Sequence, residues 1–279
     1  MQKGQIALGV GTLILALALY FGGKTVVKKE NSSTAVKAES FSFEQYEEQQ
    51  TAKLLPAEKK QLTVIIDAIK AAKPADTSTL KKLYLQTSDF WKNLNNPALG
   101  SYYFYQFAKI EASKKALADA GDVLVNAYKS TGDSVILNNL ITFALRSYEE
   151  AVQKDGSDVE LKIKLADAYV QGSQEPMKGI GILRQLSDSL PDNVPVLLAL
   201  GRLSIQSGQF DKAKERLQKI LKLEPQNTEA LYFLAITEAQ LGHNDEAIRL
   251  FEMCKLIVIN KDFNKEIDEI VKNLKSKKV

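Results

Sequence analysis

Near its C-terminal end the chain repeats itself at a fixed offset of 34 residues: Leu197, Leu200, Gln206, Gly208, Ala213, Leu217 and Ile220 recur as Leu231, Leu234, Gln240, Gly242, Ala247, Phe251 and Cys254. Seven positions matched at one spacing are a structural period rather than coincidence. A helix–turn–helix unit of that length cannot bury its apolar face alone, so it stacks on neighbours and leaves a groove for a partner. The period therefore points to a binding scaffold rather than a catalyst.

The period reaches one unit further back. Leu165, Ala166, Tyr169, Gly179, Leu183, Leu186 and Pro191 correspond to Leu200, Gly201, Ser204, Ala213, Leu217, Ile220 and Pro225. The offset is 35 for the first helix and 34 for the second, which predicts one residue inserted in the turn around Ser173 to Pro176. Upstream, apolar residues still recur at three- and four-residue spacings, with no run of strand-like alternation, so the soluble part is read as all-α. Leu62, Ile65, Ile66 and Ile69 form one stripe after Pro56, and Leu80, Leu83, Phe90, Trp91 and Leu94 a second; the two are expected to pair. Further stripes run from Leu99 to Ile110, Leu117 to Tyr128 and Ile136 to Ala151, and Phe263, Ile267, Ile270, Val271 and Leu274 form a last helix over the end of the stack.

The first residues are different in kind. From Gly4 to Gly23 there are 20 consecutive uncharged residues, bounded by Lys3 and Lys24. A helix of that length spans about 30 Å, the thickness of a bilayer core. The segment is a transmembrane anchor or a signal peptide; the run continues past the small pair Ala16 and Ala18 through Leu19, Tyr20 and Phe21, which suits an uncleaved span better. Lys24, Lys28 and Lys29 outnumber Lys3, so the soluble domain is expected on the cytoplasmic side of a bacterial inner membrane, slightly favoured over the periplasmic side. The expected organisation is an anchor over residues 1–24, a solvated tether over 25–40, a helical region of degenerate hairpins over 41–156, three repeat units over 157–261, and a capping helix with a basic tail over 262–279.

Composition excludes several classes. Basic and acidic side chains number 37 and 34 and are interspersed, too balanced for a nucleic-acid surface. One cysteine and one histidine exclude an intramolecular disulfide and any Cys/His zinc cluster of three or more such ligands. Gly179-Ile180-Gly181 falls within a helix and lacks a following Lys-Ser/Thr, so it is no nucleotide loop. No cofactor, nucleic acid or small-molecule substrate is expected, and the chain is read as a non-enzyme.

The placement of Leu197, Leu200, Gly201, Gly208, Ala213, Leu217 and Pro225, and of Leu231, Leu234, Ala235, Gly242, Ala247 and Phe251, resembles the tetratricopeptide repeat (TPR), with Ile259 in place of the second closing proline. The unit from Val159 to Asn193 keeps Leu165, Ala166, Tyr169, Leu183 and Pro191. With its anchor, the chain resembles the membrane-tethered TPR proteins of bacteria, of a Bacteroidetes type. The resemblance implies a right-handed α-solenoid of helix hairpins behind a single N-terminal transmembrane helix. It also implies a protein or peptide partner on the concave face, lined by the first helix of each unit.

By the repeat register, that face carries Lys164, Asp167 and Gln171, then Leu198, Arg202, Ile205 and Gln206, then Tyr232, Ile236 and Gln240. Gln171, Gln206 and Gln240 hold equivalent places, where amides either bond an extended peptide backbone or are simply solvated. The Lys and Asn clamp that some members use for a carboxylate is absent, apart from Arg202 as a single anion contact. Leu198, Ile205, Tyr232 and Ile236 offer either an apolar seat or packing surface. Cys254 is expected buried, His243 exposed at a turn without catalytic company, and Asp211 and Asp245 as caps or dipole partners of second helices. Tyr102, Tyr103, Phe104, Tyr105 and Phe107 form a cluster expected mainly in the core, with a partner patch as the alternative. The working assignment is a membrane-tethered scaffold; the alternative is a structural or self-associating subunit of a larger membrane complex.

Overall fold

Each repeat begins at a residue that can accept from its own helix. Asp158, Asn193 and Asn227 stand 35 and 34 residues apart, and each side chain accepts from the backbone N–H three residues on, at 3.0, 3.1 and 2.9 Å. Such a cap stabilises a helix start by about 1 kcal/mol. The first helices of the last two units also end alike. At Gly208 and Gly242 φ is +69° and +82°, and the next N–H groups, of Gln209 and His243, reach back to the carbonyls of Ser204 and Glu238 at 2.8 Å. Glycine takes this left-handed closure without steric cost.

The computed structural model describes residues 42–276, which fall within a unit running from Phe41 to Val279. These residues form thirteen helices and, among them, no strand. They are α1 (Phe43–Thr51), α2 (Pro56–Ala71), α3 (Thr77–Asn93), α4 (Pro97–Glu111), α5 (Lys114–Ser130), α6 (Ser134–Lys154), α7 (Val159–Gly172), α8 (Pro176–Ser189), α9 (Val194–Gln206), α10 (Phe210–Leu223), α11 (Thr228–Gln240), α12 (Asn244–Ile257) and α13 (Lys261–Ser276). The run Gly4–Gly23 and the tether lie outside the described residues. Among the described residues, no helix is long and apolar enough to cross a membrane.

Hairpins α3/α4, α5/α6, α7/α8, α9/α10 and α11/α12 follow one another. The expected pairing of the two stripes after Pro56 is present, for α2 packs on α3, while α3 packs more closely still on α4, where Ser88 Oγ donates to the carbonyl of Gly100 at 2.8 Å. The turn around Ser173 needs correction. Ser173–Glu175 is no longer than the turns 207–209 and 241–243, and the extra residue lengthens α7 instead. That turn has no left-handed glycine; Ser173 Oγ donates to the carbonyl of Tyr169 at 2.8 Å and accepts from Glu175 N–H at 2.9 Å.

Two large apolar clusters fill the interior. One runs from Phe43 to Tyr169 and includes Trp91, Leu99, Leu124, Leu140 and Tyr148. The other runs from Leu197 to Leu274 and includes Leu217, Phe251 and, from α13, Ile267 and Val271. Between them lies a small cluster of Ile163, Ala166, Leu183, Leu186, Val196, Ala199 and Leu200. Cys254 is fully buried, and burial pushes its thiol up to about 11, so it is packing rather than a nucleophile.

Candidate binding groove

The nearly equal lengths of the last units bring the first helices α7, α9 and α11 side by side, α5 of the longer preceding hairpin lies next to α7, and charged side chains tie each to the next. Lys164 Nζ of α7 donates to Asp122 Oδ2 of α5 at 2.9 Å, and Tyr148 OH donates to the other oxygen of Asp122 at 2.7 Å. Arg202 of α9 donates through Nη2 to Asp167 Oδ2 of α7 at 3.1 Å and through Nη1 to Glu229 Oε1 of α11 at 3.3 Å. Asp167 is half-buried, and its carboxyl is pushed up by burial, against the pull of Arg202 and Lys129.

A cleft of about 270 Å³ opens between α5 and α7, lined by Asp122, Asn126, Lys129, Lys164, Asp167 and Gln171 among others. A smaller recess between α7 and α9 gathers Asp167, Gln171, Arg202 and Gln206. Lys164, Asp167, Gln171, Arg202 and Gln206 are therefore brought together. Gln171, Gln206 and Gln240 all lie exposed at the last turn of their helices.

The apolar candidates stand differently. Leu198, Ile205, Tyr232 and Ile236 are half-buried and pack on the second large cluster. Tyr232 is covered most specifically, its ring centroid 5.7 Å from Phe251 and 6.1 Å from Phe263 at the start of α13. Arg202, read as a lone anion contact, is already engaged by two carboxylates. The sequence reading also missed Asp122, Asn126 and Lys129 of α5. Their spacing of four and three residues is a helical stripe, but α5 lies upstream of the clear repeat register.

His243 is exposed at its turn as expected, and its Nδ1 lies 2.7 Å from Oε2 of Glu238, whose side chain is only 3% exposed. Lys214 Nζ of α10 approaches the other oxygen at 2.9 Å, so Glu238 joins two hairpins and the turn between α11 and α12. Of the two alternatives for Asp211 and Asp245 the structure gives the second: both sit in first turns, beside the positive end of the helix dipole, while Gln209 and His243 hold the cap positions. Among the described residues no group of three or more His, Cys, Asp and Glu side chains is placed to hold a metal ion.

Comparison with known proteins gives the tetratricopeptide repeat over residues 178–222 and 208–253, the stretch from α8 to α12. This match supports the repeat resemblance there. Among solved structures, the chain is similar to TTC0263, a thermophilic TPR protein of Thermus thermophilus. That pair shares 19% identity over 68% of this chain and 97% of the other, with a TM-score of 0.48. It is also similar to MamA (41-end) from Desulfovibrio magneticus RS-1, at 16% identity over 64% and 94%, with a TM-score of 0.45. YrrB, described as a TPR protein with an unusual peptide-binding site, is 14% identical over 67% and 91%, with a TM-score of 0.42. No curated protein matches the sequence.

Proposed function

We propose that this chain is a membrane-tethered scaffold that holds a protein or peptide segment along α5, α7, α9 and α11 and carries out no chemistry of its own. The observation that carries the reading is the convergence of Asp167, Gln171, Arg202 and Gln206 on one recess, on helices whose remaining matched residues are packing. The charges beside them are paired within the chain, so the ligand is read less by charge than by the amides of Gln171, Gln206 and Gln240. Each amide supplies a donor and an acceptor, the complement of an extended backbone. Packed apolar residues such as Leu198 and Ile236 keep the floor of the groove rigid.

Tethering is supported by the uncharged run Gly4–Gly23, and the cytoplasmic side by the lysines that follow it. A tether would hold the groove beside the membrane and raise the local concentration of its partner.

Replacing Gln171, Gln206 and Gln240 together with alanine is expected to abolish partner recovery in affinity purification from detergent-solubilised membranes, with helical content and melting unchanged. Unchanged recovery would move the site elsewhere. In the same cells, a soluble domain protected from protease in intact spheroplasts is expected, and digestion would place it on the periplasmic side.

A further inference from the structure

One buried position of the first helix changes character from unit to unit: it holds Tyr169 in α7, Ser204 in α9 and Glu238 in α11. Helix α10 sends a cation to two of them. Lys214 reaches the carboxylate of Glu238 at 2.9 Å, and Arg216 donates through Nη1 to Ser204 Oγ at 2.6 Å. Ser204 donates its own proton to the carbonyl of Leu200 at 2.8 Å, so its oxygen accepts from Arg216 and fixes where the guanidinium sits. Lys214 thus meets a full negative charge, whereas Arg216 meets a neutral hydroxyl.

The charge of Arg216 is left without a counterion. Of the five arginines in the chain, Arg202 and Arg249 are held by carboxylates and Arg146 lies over the ring of Phe143. Among the described residues, Arg184 of α8 and Arg216 form no ion pair, and the donors of Arg216 other than Nη1 have no partner within the chain. Arg216 is half-buried. Burial pulls its guanidinium down, Glu215 beside it pulls it up, and the like charge of Arg184 pulls it down again. Two guanidiniums that repel each other and share no anion are an electrostatic cost. Helix α10 deepens the positive field, with five cations against two carboxylates.

The complement of two guanidinium forks is an oxyanion with a double charge. A carboxylate supplies two oxygens and one charge, enough for one fork, whereas a phosphoryl group supplies at least three oxygens and both charges. The half-burial of Arg216 selects a single small group, because an extended anionic surface reaches the exposed Arg184 more readily than its neighbour.

We propose that Arg184 and Arg216, the second oriented by Ser204, form a binding site for a phosphoryl dianion, carried as inorganic phosphate or as a phosphate monoester. The anion stands to Arg216 as Glu238 stands to Lys214, and it ties hairpin α7/α8 to hairpin α9/α10. None of these three residues lines the clefts of the groove, so the site stands independently of the proposed peptide site.

Isothermal titration calorimetry of the full chain in detergent, at about pH 8 where phosphate is a dianion and at fixed ionic strength, is the test. Inorganic phosphate is expected to bind saturably with a Kd of about 1 mM or tighter, and acetate at least about tenfold more weakly. O-phosphoserine separates the two sources: binding tighter than that of inorganic phosphate identifies an ester-borne group, and weaker binding a free ion. Arg216→Gln is expected to abolish binding. Arg184→Gln changes an exposed side chain and is expected to weaken phosphate binding at least about tenfold with far-UV circular dichroism unchanged. Should Arg216→Gln lose helical content, the Arg184→Gln chain decides the matter. No saturation by about 10 mM phosphate, equal affinity for acetate and phosphate, or wild-type affinity in folded Arg184→Gln overturns the proposal.

Discussion

Gly179 and Gly181 lie two residues apart on α8 and illustrate how much one helical face differs from the next. A Cβ on Gly179 would sit 2.3 Å from the carbonyl oxygen of Ala166 on α7, a backbone atom that cannot swing aside, whereas one on Gly181 would meet nothing within 4 Å. Gly179→Ala is therefore expected to destabilise the chain by about 1–3 kcal/mol through overpacking. Gly181→Ala is expected to stabilise it by up to about 1 kcal/mol through helix propensity. Urea denaturation of the two variants checks the pair, and equal midpoints would contradict the close approach. The repeat period aligned Gly179 with Ala213 and Ala247, so the need for a small residue was legible in sequence. The ion pairs of Arg202 were not. Its partners Asp167 and Glu229 lie 35 and 27 residues away, and only the stacking of three first helices decides which of many charges it meets.

At the scale of the helix, the closing glycines Gly208 and Gly242 were legible from the repeat, whereas the caps Asp158, Asn193 and Asn227 were not singled out, because an Asp or Asn between two helical stripes fits a solvated turn as well as a cap. Helix α1 was not singled out, because nine residues with only Phe43 and Tyr46 as apolar marks do not establish a period. The start of α5 shows what helix-to-helix ties contribute. Lys114 Nζ donates to Asp155 at 2.9 Å and to Asp158 at 3.0 Å, fastening α5 to the α6–α7 turn. Hydrogen bonds from Ser157 and then from Lys114 hold the Asp155 carboxyl at about 2, below its ordinary 3.8. A depressed carboxyl contributes stability that is fully present above the unfolded value and is lost as pH falls through the folded one. Lys114→Met is thus expected to lower the urea midpoint modestly near pH 6, and the gap to wild type is expected to close between about pH 4 and pH 2. A gap that stays constant over that interval would mean the pairing adds nothing.

Across the described residues, stability is expected to be divided rather than uniform, because each hairpin packs mainly on its neighbours. The buried apolar residues fall into two large clusters and a small one around Leu183 and Leu186, and α8 buries just Gly179, Leu183 and Leu186. Hydrogen exchange followed by mass spectrometry is expected to show two strongly protected blocks, α3–α6 and α9–α12, with α8 the least protected helix between them. Uniform protection from α3 to α12 would argue for one undivided core. This arrangement was half legible: the repeat period marked the second block well, while the first, with its aromatic residues and no clear register, showed only that it was helical. The division also bears on how the protein is made. Every buried residue of the first cluster precedes residue 170, so that block can close on itself at the ribosome while the second, whose last buried residue is Leu274, is still being translated. The later hairpins then emerge beside a surface that is already folded and add to it in the order in which they are synthesised.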